Sequence, residues 1–364
     1  MDKQLKYNVA FLYPKFYPVT GGGSVHGYYL ASNLNKLGIN LNFIYGKEAI
    51  PFGINNKFTI KSIIKVISQS DLIYIRHGAR FSKRQSILII LSWLFRKKII
   101  IEFNGSPDEL LTKRFSKKYV KRQEHILSFL LSLADAIITI SQPMREFCIN
   151  YLNCDSNKIN VIPNGGSKID KKNIENPNET VNEFLQQYTQ TALWSGRDTL
   201  WQGFDKIEKI IKNTPGTGYI MAVKKLSNST YERLKKFNNV MIFNNIKREL
   251  LEYFILNCDI GLVLYGDNSW SRVGFYNSSL KYYEYLINGL QVISEDYNNE
   301  IINDQNKFEN LHIKEGVDDI IQFINNNKLK RKVNTSENHY RNWNDVAKET
   351  IEVFDQVLIN NGKS

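Results

Sequence analysis

The chain has 364 residues, which is enough for two domains of ordinary size, each with its own hydrophobic core. Apolar residues make up 42% of it and aromatic residues 12%, a composition typical of a globular protein and not of a disordered one. The formal net charge of +12 favours an anionic partner, such as nucleic acid, an anionic membrane surface or a phosphorylated small molecule. Because no nucleic-acid-binding module accompanies the charge, we expect no nucleic-acid partner.

The sequence has no uninterrupted apolar stretch of about 18 residues, and its start lacks the layout of a signal peptide. We therefore expect a cytoplasmic protein that does not span a membrane. Cysteines occur at an odd number of positions without metal-ligand spacing, which predicts reduced thiols in the core. These positions are Cys148, Cys154 and Cys258.

Residues 7–46 are predicted to form a strand, a glycine-rich turn, a helix and a second strand. The turn is 21–24, and the helix runs from 28 to 37, where Gly38 ends it. Glycines between a strand and a helix allow close approach to a phosphate or a sugar.

Two later strands end in polar side chains. One ends in Arg76 and His77, and the next carries Glu102 and Asn104. In open α/β sheets, ligands bind outside the carboxyl ends of the strands. We therefore expect these four side chains to converge on one rim and to suit a polar acceptor.

Basic residues are concentrated in the first half of the chain. Six cations fall within residues 113–122, and others flank the apolar run 87–95. This combination suits an anionic membrane surface, where each cation contributes about 1 kcal/mol. The alternative is that the apolar run is a buried crossover helix and the cations form a solvated face.

The second half of the chain continues the alternation of strands and helices. Residues 167–189 are polar and are predicted to be a linker. Further strands follow it and imply a second parallel sheet, at 219–223, 240–243 and 259–264. A long terminal helix is predicted from about 340 to 358, with an apolar stripe.

The stretch 277–293 combines a helix with features of a phosphate site. Its helix is predicted from apolar residues at three- and four-residue spacing. Ser278 and Ser279 can cap the start of this helix, and Lys281 lies in its first turn, so the start offers donors and positive charge to a phosphate. Glu284 lies on the same face and can accept hydrogen bonds from sugar hydroxyls. The alternative is an amphipathic helix packed on a sheet.

This stretch resembles the Ser-Pro-x-Lys-x-x-Glu-Tyr signature of nucleotide-sugar glycosyltransferases of the GT-B fold, family 4 type. Ser279 replaces the proline, and Tyr276 stands where the more widespread form has a first glutamate. Other segments also resemble the family: the glycine turn with His26, the Glu-x-Asn-Gly segment at 102–105, and Gly196-Arg197. The resemblance covers residues 7–355.

The resemblance implies an α/β protein with two Rossmann-like domains and a cleft between them. Residues 1–170 would form the acceptor domain and residues 188–337 the donor domain, and a C-terminal helix at 338–360 would cross back to the first domain. The implied activity is hexosyltransferase-like transfer from a nucleotide diphosphate sugar to a saccharide acceptor, with retention. A lipid-linked acceptor for a bacterial surface polysaccharide, such as the O-antigen of lipopolysaccharide, would place the enzyme peripherally on the inner face of the cytoplasmic membrane.

The resemblance also implies roles for individual residues. The donor site would contain Gly22, Gly23, Gly196, Arg197, Gln202, Ser278, Ser279, Leu280, Lys281 and Glu284. Arg197 and Lys281 would stabilise the departing diphosphate, while Gln202 stands where the family has a lysine. The acceptor side would contain Arg76, His77 and Asn104.

The sequence has no Asp-x-Asp triplet, so we expect no metal and no cofactor. Were the enzyme to invert, it would need a general base, for which Glu102 and His26 are the first candidates and His77 the next.

Two other functions stay open. A non-catalytic nucleotide-sugar-binding scaffold would explain the lost lysine and glutamate, and a nucleotide-sugar epimerase of the same fold would consume the donor without an acceptor.

Overall fold

A computed structural model describes residues 7–13, 19, 21–44, 51–80, 82–171, 174, 179–295, 299–304, 306–332 and 340–359. The chain divides into two compact units. The first comprises residues 1–164, 269–278 and 343–364, and the second comprises residues 165–268 and 279–342.

The first unit is built on a parallel sheet of seven strands in the order β3-β2-β1-β4-β5-β6-β7. These are β1 (Tyr7–Leu12), β2 (Ile39–Ile44), β3 (Ile54–Asn56), β4 (Leu72–His77), β5 (Lys98–Phe103), β6 (Ala136–Thr139) and β7 (Ile159–Val161). Their helices are α1 (Gly22–Lys36), α2 (Ile60–Gln69), α3 (Lys83–Leu94), α4 (Glu109–Thr112), α5 (Lys117–Ser132) and α6 (Gln142–Leu152). Short apolar runs such as Ile99, Ile100 and Ile101 in β5 are fully buried, as expected of parallel strands with both faces covered.

The second unit contains a parallel sheet of six strands in the order β10-β9-β8-β11-β12-β13. These are β8 (Gln190–Gly196), β9 (Thr217–Val223), β10 (Val240–Asn244), β11 (Ile260–Val263), β12 (Gln291–Glu295) and β13 (Leu311–Lys314). The helices are α7 (Glu179–Gln187), α8 (Phe204–Asn213), α9 (Asn228–Leu234), α10 (Arg248–Asn257), α11 (Leu280–Ile287), α12 (Asn299–Asn303) and α13 (Val317–Asn326). The predicted α/β class with two parallel sheets is confirmed.

The terminal helix α14 (Trp343–Ile359) follows the second unit in sequence but belongs to the first. It packs against α1, where the Trp343 ring meets the His26 ring edge-on at 5.1 Å between centroids. The Tyr7 hydroxyl donates a hydrogen bond to Asp355 in α14 at 2.6 Å. The predicted return of the terminal helix to the first unit is therefore confirmed, although the predicted bounds of 338 and 360 lie outside the described residues.

Residues 269–278 also belong to the first unit, whereas the predicted domain bounds placed them in the second. Arg272 explains this placement, because its guanidinium binds the buried Asp108 at 2.7 Å and also Glu124. The Tyr276 hydroxyl donates to Glu109 at 2.5 Å, and the Tyr276 ring is buried in the core of the first unit. The local sequence pattern does not indicate these anchors, since their partners lie about 150 residues earlier in the chain.

Two predicted segments differ from the structure. Helix α1 begins at Gly22, six residues before the predicted start, because Ser24 and Gly21 hydrogen bond to each other at the helix start. The predicted linker 167–189 contains α7, which buries Val181 and Phe184. Residues 172, 173 and 175–178 of that linker lie outside the described residues. Across the described ranges, no helix is long and apolar enough to cross a bilayer.

Candidate functional site

In the second unit, two of the predicted donor residues, Gln202 and Gly196, lie close to Lys281, in the first turn of α11. Its ammonium is buried and lies 4.5 Å from the centre of the Tyr265 ring and 4.9 Å from that of Trp194. The nearest hydrogen-bond acceptor is Gln202 Oε1, at 3.5 Å. No carboxylate in the described part of the chain pairs with Lys281, and burial lowers the pKa of its ammonium to about 7. Such a buried cation without a counter-ion is suited to receive an anion.

Gly196, at the end of β8, makes room for Gln202. A Cβ atom at this position would lie 2.7 Å from Gln202 Oε1 and 2.7 Å from the Trp194 ring, so no larger residue fits. Gly203 follows with φ +68°, a conformation that glycine adopts without strain. The sequence therefore brings the Gln202 amide, instead of a second cation, beside Lys281.

Arg197 follows Gly196 directly and is exposed. Its carbonyl accepts a hydrogen bond from the Thr199 N–H at 3.0 Å, but its guanidinium makes no hydrogen bond or ion pair with any residue that the structure describes. The end of β8 thus presents a guanidinium to solvent, and its contact with a diphosphate stays a prediction.

The prediction that the Ser278 and Ser279 hydroxyls cap α11 is wrong, because both hydroxyls bind other groups. Ser279 is the N-cap residue, but its hydroxyl hydrogen bonds with the Tyr265 hydroxyl at 2.7 Å and caps no backbone N–H. Ser278 belongs to the first unit, where its hydroxyl accepts a hydrogen bond from the Asn164 backbone N–H at 2.9 Å. Leu280 is the first residue of the helix and is half-buried.

Glu284 lies one turn after Lys281 and is also buried, but the two do not pair with each other. Its carboxylate instead accepts two hydrogen bonds from Arg248, at the start of α10, at 2.6 and 3.2 Å. The sequence analysis missed Arg248, because nothing in its local pattern points to a partner 36 residues away.

In the first unit, four polar side chains converge on Glu102 in β5, which is 1% exposed. The Tyr74 hydroxyl donates to its carboxylate at 2.5 Å and the Asn104 amide at 3.1 Å. His26 Nε2 lies 3.3 Å away and Arg76 Nε 3.4 Å away. Burial alone would raise the pKa of Glu102, but His26, Arg76 and Tyr74 hold this pKa at about 2. A carboxylate that holds its proton so weakly is a poor general base.

His26 lies in α1, between the ring of Tyr13, stacked at 5.9 Å, and the ring of Trp343. Glu102 orients its imidazole, so His26 is the better general-base candidate of the two. Trp343 was not among the predicted site residues. Its position beside His26 follows from the return of α14 to the first unit.

The glycine segment lies beside this cluster. Arg76 donates a hydrogen bond to the Gly23 carbonyl at 3.1 Å, and its guanidinium lies 4.5 Å above the centre of the Tyr13 ring. Gly22 and Gly23 are both exposed in the first turn of α1. Arg76, Asn104 and Glu102 thus meet as predicted, together with His26 and the glycines.

His77 ends β4 at the same edge of the sheet but does not join this cluster. Its ring is buried, its Nδ1 lies 3.0 Å from the Gly78 carbonyl oxygen, and its Nε2 has no partner among the described residues. Burial lowers the pKa of His77. The reason is the strand geometry: side chains of successive residues point to opposite faces, so His77 lies opposite Arg76.

Residues 20–166 match the family model described as Glycosyltransferase Family 4. The matched part of the chain is of the glycosyltransferase family 4 type. It contains the glycine segment and the cluster around Glu102, and the predicted resemblance is confirmed. No curated protein matches the sequence.

Several solved structures share the GT-B fold of the whole chain. A glycosyltransferase from Rickettsia africae ESF-5 is 16% identical, with a TM-score of 0.66 over 98% of this chain and 99% of that one. Anabaena Alr3699/HepE, solved in complex with UDP-glucose, is 13% identical, with a TM-score of 0.58 over 99% and 100%. The catalytic domain of starch synthase IV from Arabidopsis thaliana, bound to ADP and acarbose, is 11% identical, with a TM-score of 0.61 over 97% and 99%.

Proposed function

We propose that this family 4 type chain is a glycosyltransferase that moves a sugar from a nucleotide diphosphate sugar to a saccharide acceptor. The observation that carries the proposal is Lys281, a buried ammonium at the start of α11 that pairs with no carboxylate among the described residues. Arg197, in the same unit, adds an exposed guanidinium. Positive groups fixed before the reaction stabilise the charge that develops on a departing diphosphate. HepE, with UDP-glucose bound, supports a nucleotide sugar as the donor.

We expect these cations, and not a metal ion or a cofactor, to meet the charge of the diphosphate. The proposal rests on the absence of an Asp-x-Asp triplet from the sequence. Nucleotide binding should therefore be unchanged by EDTA.

We propose that transfer retains the configuration of the sugar, as the family resemblance implies. In that case the leaving phosphate takes the acceptor proton. An inverting reaction would instead use His26, oriented by Glu102, as the base. The anomeric configuration of the product, read by NMR from the proton coupling at the transferred sugar, separates the two.

We propose that the acceptor is lipid-linked, as for a bacterial surface polysaccharide, and that the first unit binds an anionic membrane from the cytoplasmic side. Helix α3 supports this because only one of its faces is buried, through Leu88 and Ile89. The rest of its surface exposes large apolar side chains, with Trp93 53% and Leu94 60% exposed. The six cations of residues 113–122 are all exposed, at and before the start of α5, which packs on α3.

Vesicle flotation tests the membrane proposal. The chain should float with vesicles that contain phosphatidylglycerol but not with pure phosphatidylcholine, and raised salt should weaken binding. Trp93→Ser should reduce flotation, whereas Tyr231→Ser, a matched exposed aromatic in the second unit, should not. Equal flotation of wild type and Trp93→Ser would refute the role of this face.

A thermal-shift screen with UDP, GDP, dTDP and CMP tests the donor site. A nucleotide at a hundredfold over its dissociation constant stabilises the chain by about 2.7 kcal/mol. We expect a shift that is lost in Lys281→Ala and Arg197→Ala and kept in Lys212→Ala, an exposed lysine of α8. Donor turnover with a lipid-linked acceptor then completes the test.

The same experiments separate the two alternatives. A scaffold would bind nucleotide without turnover, and Lys281→Ala would leave the binding unchanged. An epimerase would convert the donor sugar without any acceptor. Absence of a shift with every nucleotide would refute the donor site itself.

A further inference from the structure

Two of the three cysteines lie next to each other at the end of α6, among residues that have no part in the proposed donor and acceptor sites. Cys148 lies in α6, and Cys154 follows two residues after its end. Between them Asn153 adopts a left-handed conformation, with φ 53° and ψ 37°, which turns the chain back towards the helix. The Cys154 N–H donates a hydrogen bond to the Cys148 carbonyl at 3.0 Å, and the two thiols hydrogen bond with each other. The fold therefore makes the two sulfur atoms neighbours before any bond joins them.

The two thiols differ in exposure and in ionisation. Cys148 is fully buried in the core of the first unit, whereas Cys154 is only partly buried. The hydrogen bond from Cys148 and the charge of Lys158 lower the pKa of the Cys154 thiol. The hydrogen bond to Cys154, together with burial, raises the pKa of Cys148. Because the thiolate is the nucleophile, Cys154 is the sulfur that reacts first.

The third cysteine provides an internal comparison. Cys258 is fully buried in the second unit, and burial raises the pKa of its thiol to about 12. A buried thiol that keeps its proton is inert. Cys154 alone among the three combines a partly exposed sulfur, a lowered pKa and a second thiol beside it, which is the combination typical of a reversible oxidation site.

We propose that Cys154 and Cys148 form a site for reversible oxidation, at which hydrogen peroxide converts the two thiols into an intramolecular disulfide. First, the Cys154 sulfur attacks a peroxide oxygen. An S–O bond forms, the O–O bond breaks, and hydroxide leaves, so the sulfur is oxidised and the peroxide reduced by two electrons. The Cys148 sulfur then attacks the Cys154 sulfur. An S–S bond forms, the S–O bond breaks, and the hydroxyl leaves as water with the Cys148 proton.

The disulfide would protect Cys154 from irreversible damage. A sulfenic acid without a neighbouring thiol reacts with more peroxide to give sulfinic acid, which thiol reductants do not reverse. A disulfide is returned to two thiols by exchange with a reductant. The buried Cys148 therefore serves as the resolving thiol, and the site cycles between two states.

Peptide mapping of the full chain after treatment with hydrogen peroxide tests the proposal. Trypsin cleaves after Arg145 and after Lys158, so Cys148 and Cys154 fall on one peptide, 146–158, and Cys258 falls on another. When free thiols are alkylated before digestion, peptide 146–158 should lose two hydrogen atoms and take up no alkyl group, while Cys258 stays alkylated. Dithiothreitol should restore both thiols. In the reduced, folded chain, Cys154 should react with iodoacetamide at least about tenfold faster than Cys258.

Three variants separate the roles of the sulfur atoms. In Cys148→Ala, dimedone should trap a sulfenic acid on peptide 146–158, and prolonged treatment should give sulfinic acid that dithiothreitol does not reverse. In Cys154→Ser, Cys148 should stay reduced. Cys258→Ser is the matched control and should form the disulfide as wild type does.

The map of wild type decides the matter even if a variant does not fold. The proposal is overturned if both thiols of peptide 146–158 remain open to alkylation, or if Cys154 becomes sulfinic acid while Cys148 stays reduced. A disulfide between two copies of the chain, seen as a dimer on a gel without reductant, would also overturn it. The result is independent of the donor site, because both cysteines belong to the first unit and Lys281 to the second.

Discussion

Replacing Lys281 with methionine should make the chain more stable and unable to bind a diphosphate. In the structure the ammonium is buried against Tyr265 and Trp194, without a counter-ion among the described residues, and its pKa falls from 10.5 to about 7. Since a pKa difference of one corresponds to about 1.36 kcal/mol, folding with the charged lysine costs on the order of 4 kcal/mol at pH 7. The two rings offset part of this cost, so we expect Lys281→Met to gain about 2–3 kcal/mol.

The stability difference between wild type and Lys281→Met should depend on pH in one direction. Between pH 7 and 10.5 the unfolded chain holds a proton on Lys281 that the folded chain has released, so wild type gains stability as the pH rises through this window. Lys281→Met has no such group, so its advantage should be greatest at or below pH 7 and should shrink towards pH 10. A diphosphate binds the charged form, so the affinity of wild type for UDP should fall as the pH rises above 7.

Urea unfolding of the full chain at pH 6, 7, 8 and 9 measures the stability, and calorimetric titration with UDP measures the affinity. Lys212→Met is the matched control, since Lys212 is exposed in the same unit and should change neither quantity. The reasoning is refuted if Lys281→Met is less stable than wild type, or if the difference between them is the same at every pH.

Three further variants test the first unit. Glu102→Gln should lower the free energy of unfolding by on the order of 3 kcal/mol at pH 7. This difference should vanish as the pH falls from 4.5 to 2, where wild-type Glu102 becomes protonated. A difference that stays constant with pH would contradict this prediction. Arg272→Ala should cost about 2 kcal/mol, because it removes the guanidinium that pairs with the buried Asp108, and should expose residues 269–278 to proteolysis. Unchanged proteolysis would count against that anchor. His77→Phe should leave the affinity for UDP unchanged and the free energy of unfolding within about 1 kcal/mol of wild type. A tenfold weaker affinity would show that His77 belongs to the site.

The sheets of both units could be predicted because their strands are short apolar runs bounded by polar or glycine residues. The start of α1 could not, because three consecutive glycines are typical of a loop. Only the hydrogen bonds between Gly21 and Ser24 show that the helix begins there. Helix α7 was missed for a related reason: its sequence is mostly polar, and just Val181 and Phe184 pack inward. Local hydrogen bonds decided the first case and tertiary packing the second, both against the local composition.

The candidate site was predictable where it depends on neighbours in sequence, as for Lys281 and Arg197. It was not predictable where distant segments supply the surroundings. Trp194 lies in β8 and Tyr265 lies two residues after the end of β11, yet they set the environment of Lys281. The ionisation of a lysine depends on such surroundings and not on its own motif.

The two departures from the family pattern have different physical consequences. Tyr276 stands in place of the first glutamate. A hydrogen bond to Glu109 anchors it in the core of the first unit, so its role is structural. Gln202, in place of the lysine, lies directly beside Lys281. A lysine there would bring two ammonium groups close together in a buried site, and each would lower the pKa of the other. With glutamine at this position, no second ammonium lowers the pKa of Lys281 further, and we expect a bound diphosphate to favour the charged form.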